Sequence, residues 1–458
     1  MSNPKSLFVE AARYLSRSDT EALAKRVLSF STAEEARVQI NSGVLGNTRF
    51  AVNQVSSGGD NHDTTVTVRS AFGKKSAFAT TNKLDDASLK ATVEISEKLA
   101  RLSPDDPEAM PELEPQQIAD RIDWSDATAA LDPTGRAGTI RPITDSARRE
   151  NLVSTGYLEA AAGSFAVANS KGLFAYGRST SSILTTTVRT PDGLGSGWAG
   201  ATDWDVSKIQ PAELSARAVE KAKRSANAVA IEPGRYTVVL EPTAVGNLVQ
   251  LIAFALNARN ADEGRSFFTK AGGGNKIGMK VVDERVTLYS DPLDRESAAN
   301  TFSGEGLPIG RTVWIENGVV KNLAYDRFWA QKQGKTPTPF VGSLRMNGGN
   351  ATIEEMIAST QRGLLVTRFW YIRPVDPRTI LFTGLTRDGT FLIENGKITR
   401  AVKNLRYNES PIFMLNNLEA MGRPIRVPSG ESGSAGAAVV VPPLKVRDFT
   451  FTSLSDAV

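Results

Sequence analysis

The sequence predicts an α+β fold in two parts: a mixed α/β N-terminal domain over residues 1–231, then a β-rich, antiparallel, barrel-like C-terminal domain over residues 232–458. Three observations carry this. Helical and alternating patterns interleave up to Ala230, hairpin signals dominate downstream, and Glu232-Pro-Gly234 punctuates the junction between them. A chain of 458 residues also suits two or three domains at roughly 100–200 residues each.

The first expected element, Asp19–Ser29, opens on a capping Asp two residues before Glu21 and puts Leu23 and Leu28 at helical contacts. Strands are expected at Ala36–Ile40, Arg49–Val55 and Thr65–Arg69, the last with Val66 and Val68 on one face. Leu84–Leu102 returns to helical period. Ser103–Gln117 holds four prolines and five carboxylates and reads as an exposed acidic connector whose charges serve solvation. A helical stretch around Thr144–Leu152 follows. Tyr157–Val206, rich in Ser, Thr, Ala and Gly, reads as an antiparallel meander with turns at Asn169–Gly172 and Pro191–Gly193. Ala212–Ala230 is a long Ala- and Lys-rich helix.

Past the junction, Tyr236–Leu240 is a strand and Pro242 suits the first turn of a helix. That helix, Thr243–Asn257, carries Val245, Leu248, Val249, Leu251, Ile252, Phe254 and Leu256, so it is apolar nearly all round and expected to be buried. Two later hairpins share the string Ile-Glu-Asn-Gly, at Ile315–Gly318 and Ile393–Gly396, and Asn-Gly between apolar runs is the strongest short hairpin signal. Ser429–Ala438 is a flexible loop by composition.

Composition excludes several chemistries. Without Cys there are no disulfides, no Cys nucleophile and no iron–sulfur ligation, and one His falls short of the imidazoles of common zinc sites. A net charge of +4, from 54 Lys+Arg against 50 Asp+Glu, gives no reason to expect direct nucleic-acid binding. Met1–Leu15 does not read as a secretory signal, and the longest apolar run, Leu248–Leu256, is far below the ~20 residues of a membrane helix. A soluble cytoplasmic protein without membrane association is expected.

Gly334-Lys335-Thr336 imitates the end of a phosphate loop, but the preceding spacing fails and Pro337 blocks a following helix. Ala271–Asn275 reads as a mobile turn rather than an anion cradle. His62, in the polar run Ser56–Asp63, reads as an exposed loop residue rather than a base oriented by Asp63. Asp283, Glu284, Asp291, Asp294, Glu296 and Glu305 match no calcium loop and read as strand-end and turn carboxylates. Phe369, Trp370 and Tyr371 beside Arg368 and Arg373 read as an aromatic strand, not as a base-stacking platform.

Six stretches occur in the order found in one family: Gly264-Arg-Ser-Phe-Phe268, Asp291-Pro292, Phe302-Ser-Gly-Glu-Gly-Leu-Pro308, Ile315-Glu-Asn-Gly-Val-Val320, Gly363-Leu-Leu-Val-Thr-Arg368 and Gly389-Thr-Phe-Leu-Ile-Glu-Asn-Gly396. On these the chain resembles the TldD/PmbA family, described as modulators of DNA gyrase and as metallopeptidases. TldD-like members carry a His-Glu-x-x-x-His helix, with Glu as base, and a later Cys as third zinc ligand. Registered on Gly264–Phe268 without gaps, those helix positions fall on Val249, Gln250 and Phe254, and the chain has no Cys. The resemblance is therefore to the TldE/PmbA kind of subunit, which lacks the metal site.

This resemblance implies no catalytic residue and no cofactor in this chain, with zinc held by a TldD-like partner in a heterodimer. It implies unfolded polypeptides or leader peptides as substrates, and a homodimer as the form the chain takes when alone. Two other readings are a standalone peptide-binding or gyrase-modulating protein, and a hydrolase with an unrecognised metal-free centre.

Overall fold

The computed structural model describes residues 14–340, 342–430 and 438–455. Most of the Met1–Leu15 segment and most of the Ser429–Ala438 loop lie outside them.

Helix α1 (Arg17–Ser29) is capped by Ser16, whose Oγ accepts the Asp19 N–H at 3.1 Å, so the cap lies three residues before the Asp expected from sequence. Two long antiparallel strands follow, β1 (Glu35–Ala51) and β2 (Gln54–Phe72), turning at Val52-Asn53 with φ of 49° and 63°. The expected strand at 49–55 is thus a hairpin tip. The polar run Ser56–Asp63 is not a loop: it is the exposed part of β2, with Val44 opposite His62 and Gly43 opposite Asp63. Its turn-like composition yields to the ladder that β1 provides.

After β3 (Lys75–Thr81) and α2 (Asp86–Leu102) comes the connector, without helix or strand from 103 to 117. It is not exposed throughout. Glu112 is buried, 2.9 Å from Arg69 and 3.5 Å from Arg37. Helices α3 (Asp126–Ala129) and α4 (Pro133–Arg149) lead into the meander β4 (Val153–Asn169), β5 (Phe174–Arg189) and β6 (Ser196–Asp203). The resulting antiparallel sheet has the order β3-β2-β1-β4-β5-β6. A 3₁₀ turn at Val206–Lys208 precedes α5 (Pro211–Ser225), which ends at Ser225 rather than Ala230. One apolar cluster joins Leu23, Val27, Leu89 and Val93 of α1 and α2 to Val38, Ile40, Val66 and Val68. A second joins Ile140, Ile143, Leu214 and Ala218 of α4 and α5 to Phe50, Leu158, Leu184 and Val188. Gly197 lets α5 seat on β6, because a Cβ there would lie 2.2 Å from the Ala218 carbonyl oxygen.

The C-terminal half runs β7 (Gly234–Leu240), α6 (Pro242–Ala255), α7 (Ala258–Asp262), β8 (Leu288–Ser290), β9 (Thr312–Glu316), β10 (Val319–Val320), α8 (Arg327–Gln333), β11 (Leu344–Met346) and α9 (Ile353–Ala358). It continues through β12 (Arg362–Asp376), β13 (Leu381–Glu394), β14 (Lys397–Ala401), β15 (Leu405–Glu409), α10 (Pro411–Asn416), β16 (Leu418–Met421), β17 (Ile425–Pro428), β18 (Ala438–Val441) and β19 (Leu444–Leu454). Strands β12-β7-β19-β15-β13 close into a five-stranded barrel through the β12–β13 pairing. A second sheet has the order β10-β9-β8-β11-β18-β17. The fold is α+β with a barrel and antiparallel sheets, in agreement with the sequence. Both Asn-Gly hairpins form two-residue turns, with φ of 48° and 78° at Asn317-Gly318 and 49° and 75° at Asn395-Gly396.

Five of the six carboxylates that sequence grouped together are held in ion pairs, Asp294 and Glu296 sharing one arginine. Glu284 meets Lys280, Asp294 and Glu296 meet Arg345, and Glu305 meets Arg327. Asp283 is clasped by Arg285, whose guanidinium also donates to the Leu418 and Glu419 carbonyls. Donation from Arg285 holds the Asp283 carboxyl at about 2 against an ordinary 3.8. Because the folded value is the lower one, this contribution is complete above pH 4 and is lost as pH falls through 4 towards 2. Asp283→Asn should cost about 1–2 kcal/mol at neutral pH, allowing for solvent screening. It should also flatten the acid limb of the stability curve, measured by urea unfolding between pH 2 and 7.

Candidate functional site

Helix α6 lies where the barrel meets the second sheet. Its N-terminal residue, Pro242, follows Glu241, which does not cap the helix and instead pairs with Lys221 of α5 at 2.6 Å. Gly246 allows close seating on β17 and β18: a Cβ there would lie 2.9 Å from Val427 Cγ2 and 3.0 Å from Val439 Cγ2. Ala244, Val245, Leu248, Val249 and Ile252 fill the core beneath.

The three positions marked by sequence fare differently. Val249 is sealed in the core. Gln250 is half-buried and donates from Nε2 to the Ser429 carbonyl. Phe254 is 77% exposed, which corrects the expectation of a helix buried all round. The reason is geometric: five residues on a regular helix turn the side chain by about 140°, so one position is closed while the other opens to solvent. Between them these side chains offer one amide and no imidazole, thiolate or carboxylate, so a zinc ion does not fit this set. His62 stands on β2 in the other half, and no cluster of three or more His, Cys, Asp or Glu able to hold a metal occurs among the described residues.

Beside Phe254 opens a cavity of about 350 Å³, lined on its apolar side by Leu251, Pro374, Pro377, Ile380 and Phe382. Asp376 stands on its rim, held below the ordinary carboxylate range by the Thr379 hydroxyl and the Arg378 N–H. Nearby on the chain, the Lys276 ammonium sits 3.7 Å above the Phe267 ring, and burial lowers its pKa. The chemistry available is apolar contact with a charged margin.

Two polar groups here escaped the sequence reading. Asn247, 2% exposed, donates to the Ser429 carbonyl at 3.0 Å and accepts the Phe369 N–H at 3.1 Å, tying α6 to β12 and to the residues after β17. A poor helix former in the middle of an apolar helix was the available signal. Asp388 sits in a bulge of β13 at φ 54° and is almost wholly buried. Its carboxylate takes Arg368 at 2.8 Å from β12 and the Ser196 hydroxyl at 2.6 Å from β6, while Arg368 lies over the rings of Trp198 and Trp370. No local pattern announced this link. The aromatic strand divides accordingly: Phe369 packs in the barrel core against Tyr407 and Phe449, while Tyr371 is half exposed with φ 55°.

Residues 36–100, 105–226 and 233–453 match the family models of PmbA/TldA metallopeptidase domain 1, the central domain and the C-terminal domain. The fold is similar to the crystal structure of TldE from Thermococcus kodakarensis, with a TM-score of 0.84 and 18% identity over 94% of this chain and 99% of that one. A Methanothermobacter thermautotrophicus protein named a metalloprotease is 26% identical over 258 residues, which is 52% of this chain and 54% of the relative. The chain spans about half the length of most of the curated relatives it matches. No described helix is long and apolar enough to cross a membrane.

Proposed function

The chain belongs to the PmbA/TldD metallopeptidase family, and from that premise we propose that it is the non-catalytic, metal-free subunit of a TldD/TldE-type heterodimeric zinc peptidase acting on unfolded polypeptides or leader peptides. The observation that carries this reading is the state of α6: one candidate ligand position is sealed by Val249, one is spent by Gln250 on a backbone carbonyl, and one holds the apolar Phe254. Zinc and its general base belong to the sibling subunit. This chain contributes shape: the open end of α6, with its apolar cavity, faces the shared chamber and takes an apolar side chain of the extended substrate. Residues 1–231 and 232–458 act as its two domains, and the complex works in the cytoplasm without direct contact to nucleic acid or membrane.

Co-expression with a sibling bearing His-Glu-x-x-x-His tests this. The two should co-purify through an interface on the order of 2,000 Å² or more. Zinc should follow the sibling alone, and casein-type turnover should require both chains. Separate elution at micromolar concentration, or stoichiometric zinc in this chain alone after dialysis against a weak chelator, defeats the reading.

A further inference from the structure

Where α5 and β6 of the N-terminal half meet the barrel, a second cavity of about 400 Å³ opens, with no residue of α6 in its lining. Its two walls have opposite polarity. One is the end of α5 and the residues just after it, Ser225–Asn227. Ala226 keeps helical dihedrals, φ −59° and ψ −28°, and among the described residues no group donates to the carbonyls of Lys223, Arg224 and Ser225. Those carbonyls carry the negative end of the helix dipole. The basic side chains of the last turn are engaged elsewhere, Lys223 with Glu150 and Arg224 with Glu220. The other wall belongs to the barrel: the bulge Asp388–Thr390 of β13, and Lys403 between β14 and β15. Lys403 is exposed, and its ammonium has no partner among the described residues. Thr390 is 2% exposed, yet its hydroxyl makes no hydrogen bond. The Thr367 hydroxyl is likewise buried and unpaired, against Gly389, where a Cβ would lie 2.8 Å from it. Buried hydroxyls left unpaired are uncommon, and a ligand that completes them recovers the cost.

We infer that this cavity binds a small zwitterion, a free α-amino acid, with its ammonium on the open carbonyls of α5 and its carboxylate between Lys403 and the Thr390 hydroxyl. Each simpler ligand satisfies half of the site. A lone anion would face the negative end of the helix, and a lone cation would face Lys403. An apolar molecule would leave the carbonyls, the ammonium and the hydroxyl all unpaired. A zwitterion donates to one wall and accepts from the other, with charge assisting both sets of hydrogen bonds. The volume lies at the lower end of small-molecule sites, enough for an amino acid with its side chain against Leu194 and Val402. One wall comes from each half of the chain, so a bound molecule bridges α5 to the barrel and stabilises their junction by linkage.

Thermal melting of the full chain with each of the standard amino acids, at about 10 mM, tests this. At least one should raise the midpoint by about 2 °C or more. The N-acetylated and the amidated forms of that amino acid, each lacking one charge, should not. Lys403→Met keeps the stem of an exposed side chain and removes its charge, so the fold should be unaffected and binding, by titration calorimetry, about tenfold weaker. Thr390→Val removes an unpartnered hydroxyl at nearly constant shape, so melting without amino acid should not fall while binding again weakens about tenfold. No shift with any amino acid, equal shifts with the blocked forms, or variants that bind like the parent chain overturns the assignment. None of these readouts involves the sibling subunit, whose assembly is read from co-purification and zinc content.

Discussion

Arg368→Ala should lower the thermal midpoint by roughly 6–20 °C, from a loss on the order of 3–5 kcal/mol at roughly 2–4 °C per kcal/mol. The substitution leaves the Asp388 carboxylate, 1% exposed, with the Ser196 hydroxyl and a distant Arg387 guanidinium at 3.9 Å. It also strips the cation from between Trp198 and Trp370. A buried ion pair adds little net stability when compared with apolar replacement, whereas a buried lone charge is costly. The double variant Arg368→Met/Asp388→Asn should therefore recover most of the loss, with Asn tolerating the left-handed backbone at 388. Differential scanning calorimetry of both variants checks this, and a single variant that melts like the parent removes the pair from any structural role.

The second large effect is asymmetric. Val249→His should cost about 2–5 kcal/mol, because it overpacks a sealed position and buries an imidazole without a partner. Phe254→His should stay within about 0.5 kcal/mol, since the ring it replaces is 77% exposed. Adding Gln250→Glu removes the donor to the Ser429 carbonyl and sets a carboxylate against it. The triple variant should remain without stoichiometric zinc and without peptidase activity, because the third ligand is still missing and two imidazoles alone make a weak, solvent-filled site. Thermal midpoints with and without zinc, with metal analysis, decide the matter. A midpoint that rises by several degrees with zinc, together with peptide turnover, means that α6 keeps a working cavity in need of ligands.

What could be read from the sequence was local. The two Asn-Gly turns declared their hairpins because the φ they require is a property of those two residues. Helix α6 declared itself through Leu248, Val249 and Ile252, but not the exposure of Phe254, since apolar side chains also make up much of a folded surface. Glu112 looked like solvation because its partners, Arg37 and Arg69, lie more than forty positions away in the chain. The run Ser56–Asp63 looked like a loop because Gly, Asn and Asp signal turns, while the ladder to β1 that overrides them is a tertiary fact. The missing zinc ligands needed no structure, since the count of Cys and His is a property of composition. The position of those residues on a half-open helix did need one.

The closed barrel also sets an order of events during synthesis. Strand β7 is its earliest member, and its neighbours are β12 and β19. The six-stranded sheet is complete once Asp203 has left the ribosome, whereas the barrel lacks a wall until residues 444–454 emerge. At roughly 5–20 residues per second that interval is on the order of tens of seconds. Through it the apolar inner faces of β7 and α6 wait without their final cover, and the N-terminal sheet waits for Phe302 to close the cluster of Val167, Leu173 and Ala175.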